Sequence, residues 1–170
     1  AGTEKLHNAI QSVINTGVVL GSSSAQVALS NTIGGTTVAA RNVISGHEGS
    51  GVAGVGIFNN GASQNLIQGN YIGTDLTGKF SIGNKEGVIA TNASGNTVGG
   101  SAPGTGNVIS GNLQDGIGLG NANFFTNPVV GGTGTTVQGN FIGLDVDGLC
   151  LGNAQDGIFV EVGSSNETVK

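Results

Sequence analysis

Tryptophan and methionine are missing from this chain of 170 residues, proline occurs twice and cysteine once, and charged residues amount to 9%. Each shortage excludes something. A single cysteine, Cys150, permits no internal disulfide and no cysteine-based metal cluster. Five Lys and Arg against ten Asp and Glu give a net charge of −5 and a pI near 4.6. Nucleic acid and anionic membrane surfaces therefore find no basic patch to hold them. No apolar run approaches the roughly 18 residues of a membrane-spanning helix, and Ala1 to Lys5 lack the architecture of a signal peptide. A lysine-poor surface rich in Asn, Thr, Ser and Gly leans towards an extracellular or cell-surface setting.

What abounds is glycine, at 34 residues or one in five. Collagen is excluded because no Gly-X-Y triplet runs through the chain and proline is scarce. Disorder is excluded by a hydrophobic fraction of 36% and a mean hydropathy of +0.13. Long helices are disfavoured, since each mid-helix Gly costs up to about 1 kcal/mol relative to Ala. A chain of frequent turns remains.

Those turns repeat. Asn31-Thr32-Ile33-Gly34-Gly35 returns as Asn96-Thr97-Val98-Gly99-Gly100, and Asn42-Val43-Ile44-Ser45-Gly46 as Asn107-Val108-Ile109-Ser110-Gly111. Gln68-Gly69-Asn70-Tyr71-Ile72-Gly73-Thr74-Asp75 returns as Gln138-Gly139-Asn140-Phe141-Ile142-Gly143-Leu144-Asp145. Each long unit divides into two circuits of three short apolar pieces. The first pieces centre on Ile33, Ile67, Val98, Val137 and Val169, so successive circuits take 34, 31, 39 and 32 residues. The second pieces centre on Ile44, Ile72, Ile109 and Ile142. The third centre on Ile57, Val88, Ile117 and Ile158, each directly after a glycine: Gly56, Gly87, Gly116 and Gly157.

Pieces of three to five residues are too short for helices and carry the β-branched content of strands. Three unlike strands in fixed order suit a chain that winds one way and lays each strand about 4.8 Å from its counterpart. The expectation is an all-β fold, a right-handed parallel β-helix with three faces and about four to five turns, forming a single domain over residues 1–170. The isoleucine and valine columns should point inward. Asn42, Asn70, Asn107 and Asn140 each precede the second strand, where an Asn can take the left-handed region and stacked amides can bond along the axis.

These motifs, together with the Gly-Val and Gly-Ile strands, resemble the right-handed parallel β-helix repeats of large secreted bacterial surface proteins. More distantly they resemble the β-helices of polysaccharide lyases, alginate epimerases and autotransporter passengers. The resemblance covers essentially the whole chain and implies a fold more than a function, because the matching residues turn corners or fill the core.

Residues Lys5 to Asn15 read either as an amphipathic capping helix or as an irregular stretch of another turn; the second agrees with the match of Ala1–Glu4 to Ile72–Asp75, 71 residues on. Lys170 follows Val169 where Gly34 and Gly99 stand in earlier copies. The chain is thus expected to be part of a longer array or to stack on a neighbour, joining adjoining repeats or self-associating through strand edges.

Candidate sites are few. Glu86, Asp115 and Asp156 each precede a stacked glycine, so like charges would recur at the strand spacing, and calcium is the ion such an all-oxygen row would take. The plainer reading is that each carboxylate bonds its own turn. Asp145-Val146-Asp147-Gly148 is a calcium-loop fragment without its remaining ligands. No cofactor motif is present. A lyase needs a basic residue, and Arg41, His47 and Glu48 form the one cluster that departs from the repeat, facing Gly106, Asn112 and Leu113 one unit later. Polysaccharide could also be bound on aromatics. Tyr71 and Phe141 occupy equivalent outward positions, and Phe124 and Phe125 sit in the longest insertion. Asn92-Ala93-Ser94 and Asn166-Glu167-Thr168 fit the glycosylation pattern. The expected function is a non-catalytic structural or adhesive rod, with a carbohydrate-active lyase, epimerase or glycan-binding domain as the alternative.

Overall fold

The computed structural model describes residues 16–21, 27–49, 53–58, 61–120, 132–161 and 163–170. Among them the only helical element is a single 3-10 turn, Val38–Ala40; the rest is strand and bend. No helix of the described residues is long and apolar enough to cross a membrane.

The strands are short because each branched apolar piece is cut off by a Gly or Asn bend, and they find partners by stacking on the next circuit. One sheet joins Val18–Leu20, Ala53–Phe58, Glu86–Thr91, Ile117–Leu119 and Ile158–Val160 in that order. A second joins Thr32–Gly34, Leu66–Gln68, Thr97–Gly99, Thr136–Gln138 and Thr168–Val169, and a third joins Val43–Ile44, Tyr71–Ile72, Val108–Ile109 and Phe141–Ile142. All pairs in them are parallel, and the chain visits the sheets in one cyclic order. The fold is all-β with parallel strands in stacked sheets, compatible with a parallel β-solenoid.

The first column runs Ile33, Ile67, Val98, Val137, Val169, and the second Ile44, Ile72, Ile109, Ile142, both as the repeat requires. Most of these side chains are buried and form one core. Burying each contributes about 1.5–3 kcal/mol.

The third column corrects the sequence reading by two residues. Val55, not Ile57, pairs with Val88, and Ile57 pairs with Ala90. The preceding glycines of the column are accordingly Gly17, Gly54, Gly87, Gly116 and Gly157. Gly54-Val55-Gly56-Ile57 offers the same dipeptide pattern twice, and a slip of two keeps the same side chains facing the core. The corner decides between them. A Cβ on Gly54 would lie 2.9 Å from Ile72 Cγ2 and 2.9 Å from the Gly87 carbonyl, just as one on Gly87 would meet Ile109 Cγ2 and the Gly116 carbonyl. Gly56 faces the Phe58 ring instead.

A small fourth sheet, Ala28–Leu29 with Ala62–Ser63, was not foreseen. Its line continues as single parallel bridges between Ser94, Thr133 and Ser165.

Asparagine ladders close the bends into each of the three larger sheets. Asn42, Asn70, Asn107 and Asn140 bond in series, the side-chain amide of each donating to the Oδ1 of the next. Asn31, Asn65 and Asn96 do the same before the second sheet, and Asn84, Asn112 and Asn153 before the first. Each interior amide also donates to a strand carbonyl of an earlier circuit, as Asn107 does to Ile67 at 2.9 Å. The ladder asparagines are not left-handed, contrary to expectation. The positive φ falls on the residue before the ladder, as at Ser30, Gln64 and Gly95 (56°, 58° and 65°).

Candidate functional site

Arg41 and His47 lie at the two ends of the short strand Val43–Ile44 and are held by different neighbours. The Arg41 guanidinium donates from Nη1 to the Tyr71 hydroxyl at 2.9 Å and from Nε to the Gly69 carbonyl at 3.2 Å. Its carbon lies 4.1 Å from the Tyr71 ring centre, a stacked contact. His47 is buried, and its backbone N–H donates to Asn84 Oδ1 at 3.2 Å. It occupies the first rung of the ladder that Asn84, Asn112 and Asn153 continue. Glu48 beside it is exposed. His47 thus keeps the backbone bond of its ladder, whereas Arg41 adds a contact where Gly69, Gly106 and Gly139 stand in later circuits. The signal was legible in the dipeptides Gly46-His47, Gly83-Asn84, Gly111-Asn112 and Gly152-Asn153.

Tyr71 and Phe141 share one outward column with Val43 and Val108. Arg41 covers Tyr71, leaving it 8% exposed, whereas Phe141 is 44% exposed. They do not form a common platform. Phe124 and Phe125 lie outside the described residues, as do Lys5 to Asn15.

Asp75 and Asp145 organise matching hairpins that leave the stacked sheets between the third and the first, with antiparallel bridges Thr74 to Ser81 and Leu144 to Cys150. Asp145 Oδ1 accepts the N–H groups of Asp147 and Leu149, and Asp75 Oδ1 those of Lys79 and Phe80. Burial works against the Asp75 carboxylate, but the Thr77 hydroxyl and these N–H groups hold its pKa below the ordinary value. The hairpins stack through a Lys79–Asp147 ion pair. Both aspartates thus do the work of turns.

Glu86, Asp115 and Asp156 fall on successive rungs: the N–H of Gly87 donates to the Asp115 carbonyl and that of Gly116 to the Asp156 carbonyl. Asp115 Oδ1 accepts the Asp156 N–H at 2.9 Å, a bond to the next rung rather than within its own turn. Among the described residues, no group of three or more His, Cys, Asp or Glu is gathered to hold a metal ion.

Glu86 and Asp115 instead share a pocket with a third acidic residue, Glu161. Glu86, Asp115 and Glu161 line a pocket of about 70 Å³ on the outer side of the first sheet, with walls from Ile89, Leu119 and Phe159. Gly118 opens its floor: a Cβ there would sit 3.3 Å from Glu86 Oε2. Glu86 is 5% exposed. Burial first, then the charges of Asp115 and Glu161, push its pKa up to about 7, with Lys85 acting in the opposite sense. Burial also raises Glu161. Glu161 Oε2 is buried without a hydrogen-bond partner. Glu161 escaped the sequence reading because it follows its strand, while Glu86 opens a strand two rungs away; they meet on a diagonal that no linear pattern marks.

No family model matches the chain, and neither a curated protein nor a solved structure matches it significantly.

Proposed function

We propose that this chain is a right-handed, three-faced parallel β-helix of the kind repeated in secreted bacterial surface proteins, and that it serves as a non-catalytic structural or adhesive rod. The observation that carries the reading is the continuity of the asparagine ladders, which run from rung to rung through the described circuits. Such ladders stiffen a stack along its axis, and amide bonding within a water-poor corner strengthens each link. The residues that most resembled a catalytic cluster are engaged in that scaffold, Arg41 on Tyr71 and His47 on Asn84. Strands Phe141–Ile142, Ile158–Val160 and Thr168–Val169 stand last in their sheets and offer edges on which adjoining repeats would stack. A cell-surface or extracellular place suits a rod of this composition.

The carbohydrate-active alternative draws on the Glu86 and Asp115 carboxyls, since glycoside hydrolysis uses a carboxyl pair with one pKa raised. The pocket they share is far smaller than the several hundred Å³ of ordinary ligand sites. Incubation with uronate- and hexose-based polysaccharides is expected to release no oligosaccharide. Depolymerisation that Arg41→Ala or Glu86→Gln abolishes would overturn the structural reading.

A further inference from the structure

We propose that the pocket rimmed by Glu86, Asp115 and Glu161 binds a primary ammonium group on an alkyl stem, as presented by a lysine side chain of a partner protein. Polar groups this deeply buried normally have partners, and an unpaired buried carboxyl is costly. Here two point to an outside one. Glu86 is 5% exposed, and none of the hydrogen bonds among the described residues reaches its carboxyl group. Glu161 Oε2 is buried and unpartnered at the same pocket.

The shape selects the ligand. A volume of about 70 Å³ holds roughly two water-sized groups, enough for an ammonium and the methylene behind it but not for a sugar ring. An ammonium brings three donors, and Glu86, Asp115 and Glu161 line the space with acceptors. Ile89 and Leu119 offer apolar wall to an alkyl stem, and Phe159, 41% exposed, adds a ring whose face attracts cations. Anions are repelled by the same carboxylates, and no metal-binding group is assembled there. The chain's own cations are scarce, five Lys and Arg in all, and Lys85 beside Glu86 does not line the pocket. The pocket stands whether or not the rod is purely structural.

Binding an ammonium expels the proton that Glu86 holds at neutral pH, so affinity rises with pH through about 7. The test is a titration of the intact, isotope-labelled chain with Nα-acetyl-lysine methylamide, following the amide signals of Gly118, Gly120 and Phe159. Saturable shifts are expected at pH 8, about thirtyfold weaker binding at pH 5.5, loss in Glu86→Gln and weakening in Glu161→Gln. The norleucine analogue, with the stem but no amine, should leave the signals unmoved. Absence of shifts at pH 8, equal shifts from the norleucine analogue, or undiminished binding by both folded variants would overturn the proposal. Tighter binding of glucosamine would overturn the assignment to a lysine side chain, and tighter binding of calcium the assignment to an amine.

Discussion

Asn70 is bonded twice to Asn107: its backbone N–H and its side-chain amide both donate to Asn107 Oδ1, at 2.9 and 3.1 Å. Asn107 in turn donates to the Ile67 carbonyl and twice to Asn140 Oδ1. Replacing Asn107 with Ala removes an acceptor from two buried donors and leaves the Ile67 carbonyl short of one. With each orphaned buried group costing about 1–3 kcal/mol, the variant should lose about 3 kcal/mol or more. The side chain of Asn42, exposed at the start of the same ladder, only donates, so Asn42→Ala should cost about 1 kcal/mol or less. Chemical denaturation of the two variants checks the gradient; equal losses would mean that the ladder does not act as a chain.

Glycine at the corner into the first sheet is required by space. A Cβ on Gly87 would lie 2.4 Å from the Gly116 carbonyl and 2.7 Å from Ile109 Cγ2, against backbone and a fully buried side chain that cannot yield. Gly87→Ala should cost about 1–3 kcal/mol through overpacking, or shift the rung. Gly152, with nothing within 4 Å of its would-be Cβ, should accept Ala with a change below about 0.5 kcal/mol. Thermal melts of both variants give the comparison.

The same corner marks how far the fold was legible. Columns such as Ile44, Ile72, Ile109 and Ile142 could be read because every rung needs a branched apolar residue at one place and an Asn two positions earlier. Gly54 and Gly56 could not be told apart, since only the close approach of Ile72 and Gly87 distinguishes them and neither is near in sequence. Ala28–Leu29 and Ala62–Ser63 are strands of two residues with mostly small side chains, too little pattern to register. The candidate site was read less well. Glu86 and Asp115 stood out by their place before a glycine, but Glu161 reaches them only through stacking. Arg41 and His47 looked like chemistry because they broke the repeat, whereas Arg41 is bonded to Tyr71 and the Gly69 carbonyl and His47 keeps the backbone bond of its ladder.

His47 offers a direct test of that substitution. Its backbone N–H already bonds Asn84 Oδ1, and an asparagine in its place would present the side-chain amide that the other rungs use. His47→Asn should fold normally and lie within about 1 kcal/mol of the parent. A loss above about 2 kcal/mol in equilibrium unfolding would mean that the imidazole itself is needed and that the ladder position is incidental.

Glu86 makes the stability of the fold depend on pH. Its folded pKa of about 7 exceeds the ordinary 4.5, so between these values the native state binds more protons than the unfolded one. Its contribution is therefore fully present below about pH 4.5, declines as pH rises, and is lost above about 7. A shift of this size corresponds to about 3 kcal/mol. The causes are burial and the facing Asp115 and Glu161 carboxylates, and Glu161, raised by its own burial, changes stability in the same direction. Glu86→Gln keeps the shape, removes the charge and should flatten the profile, leaving the variant more stable than the parent at pH 8 and close to it at pH 4. Urea unfolding across pH 4 to 8 measures both curves. Parallel curves would show that the Glu86 carboxyl ionises as freely in the folded chain as in the unfolded one.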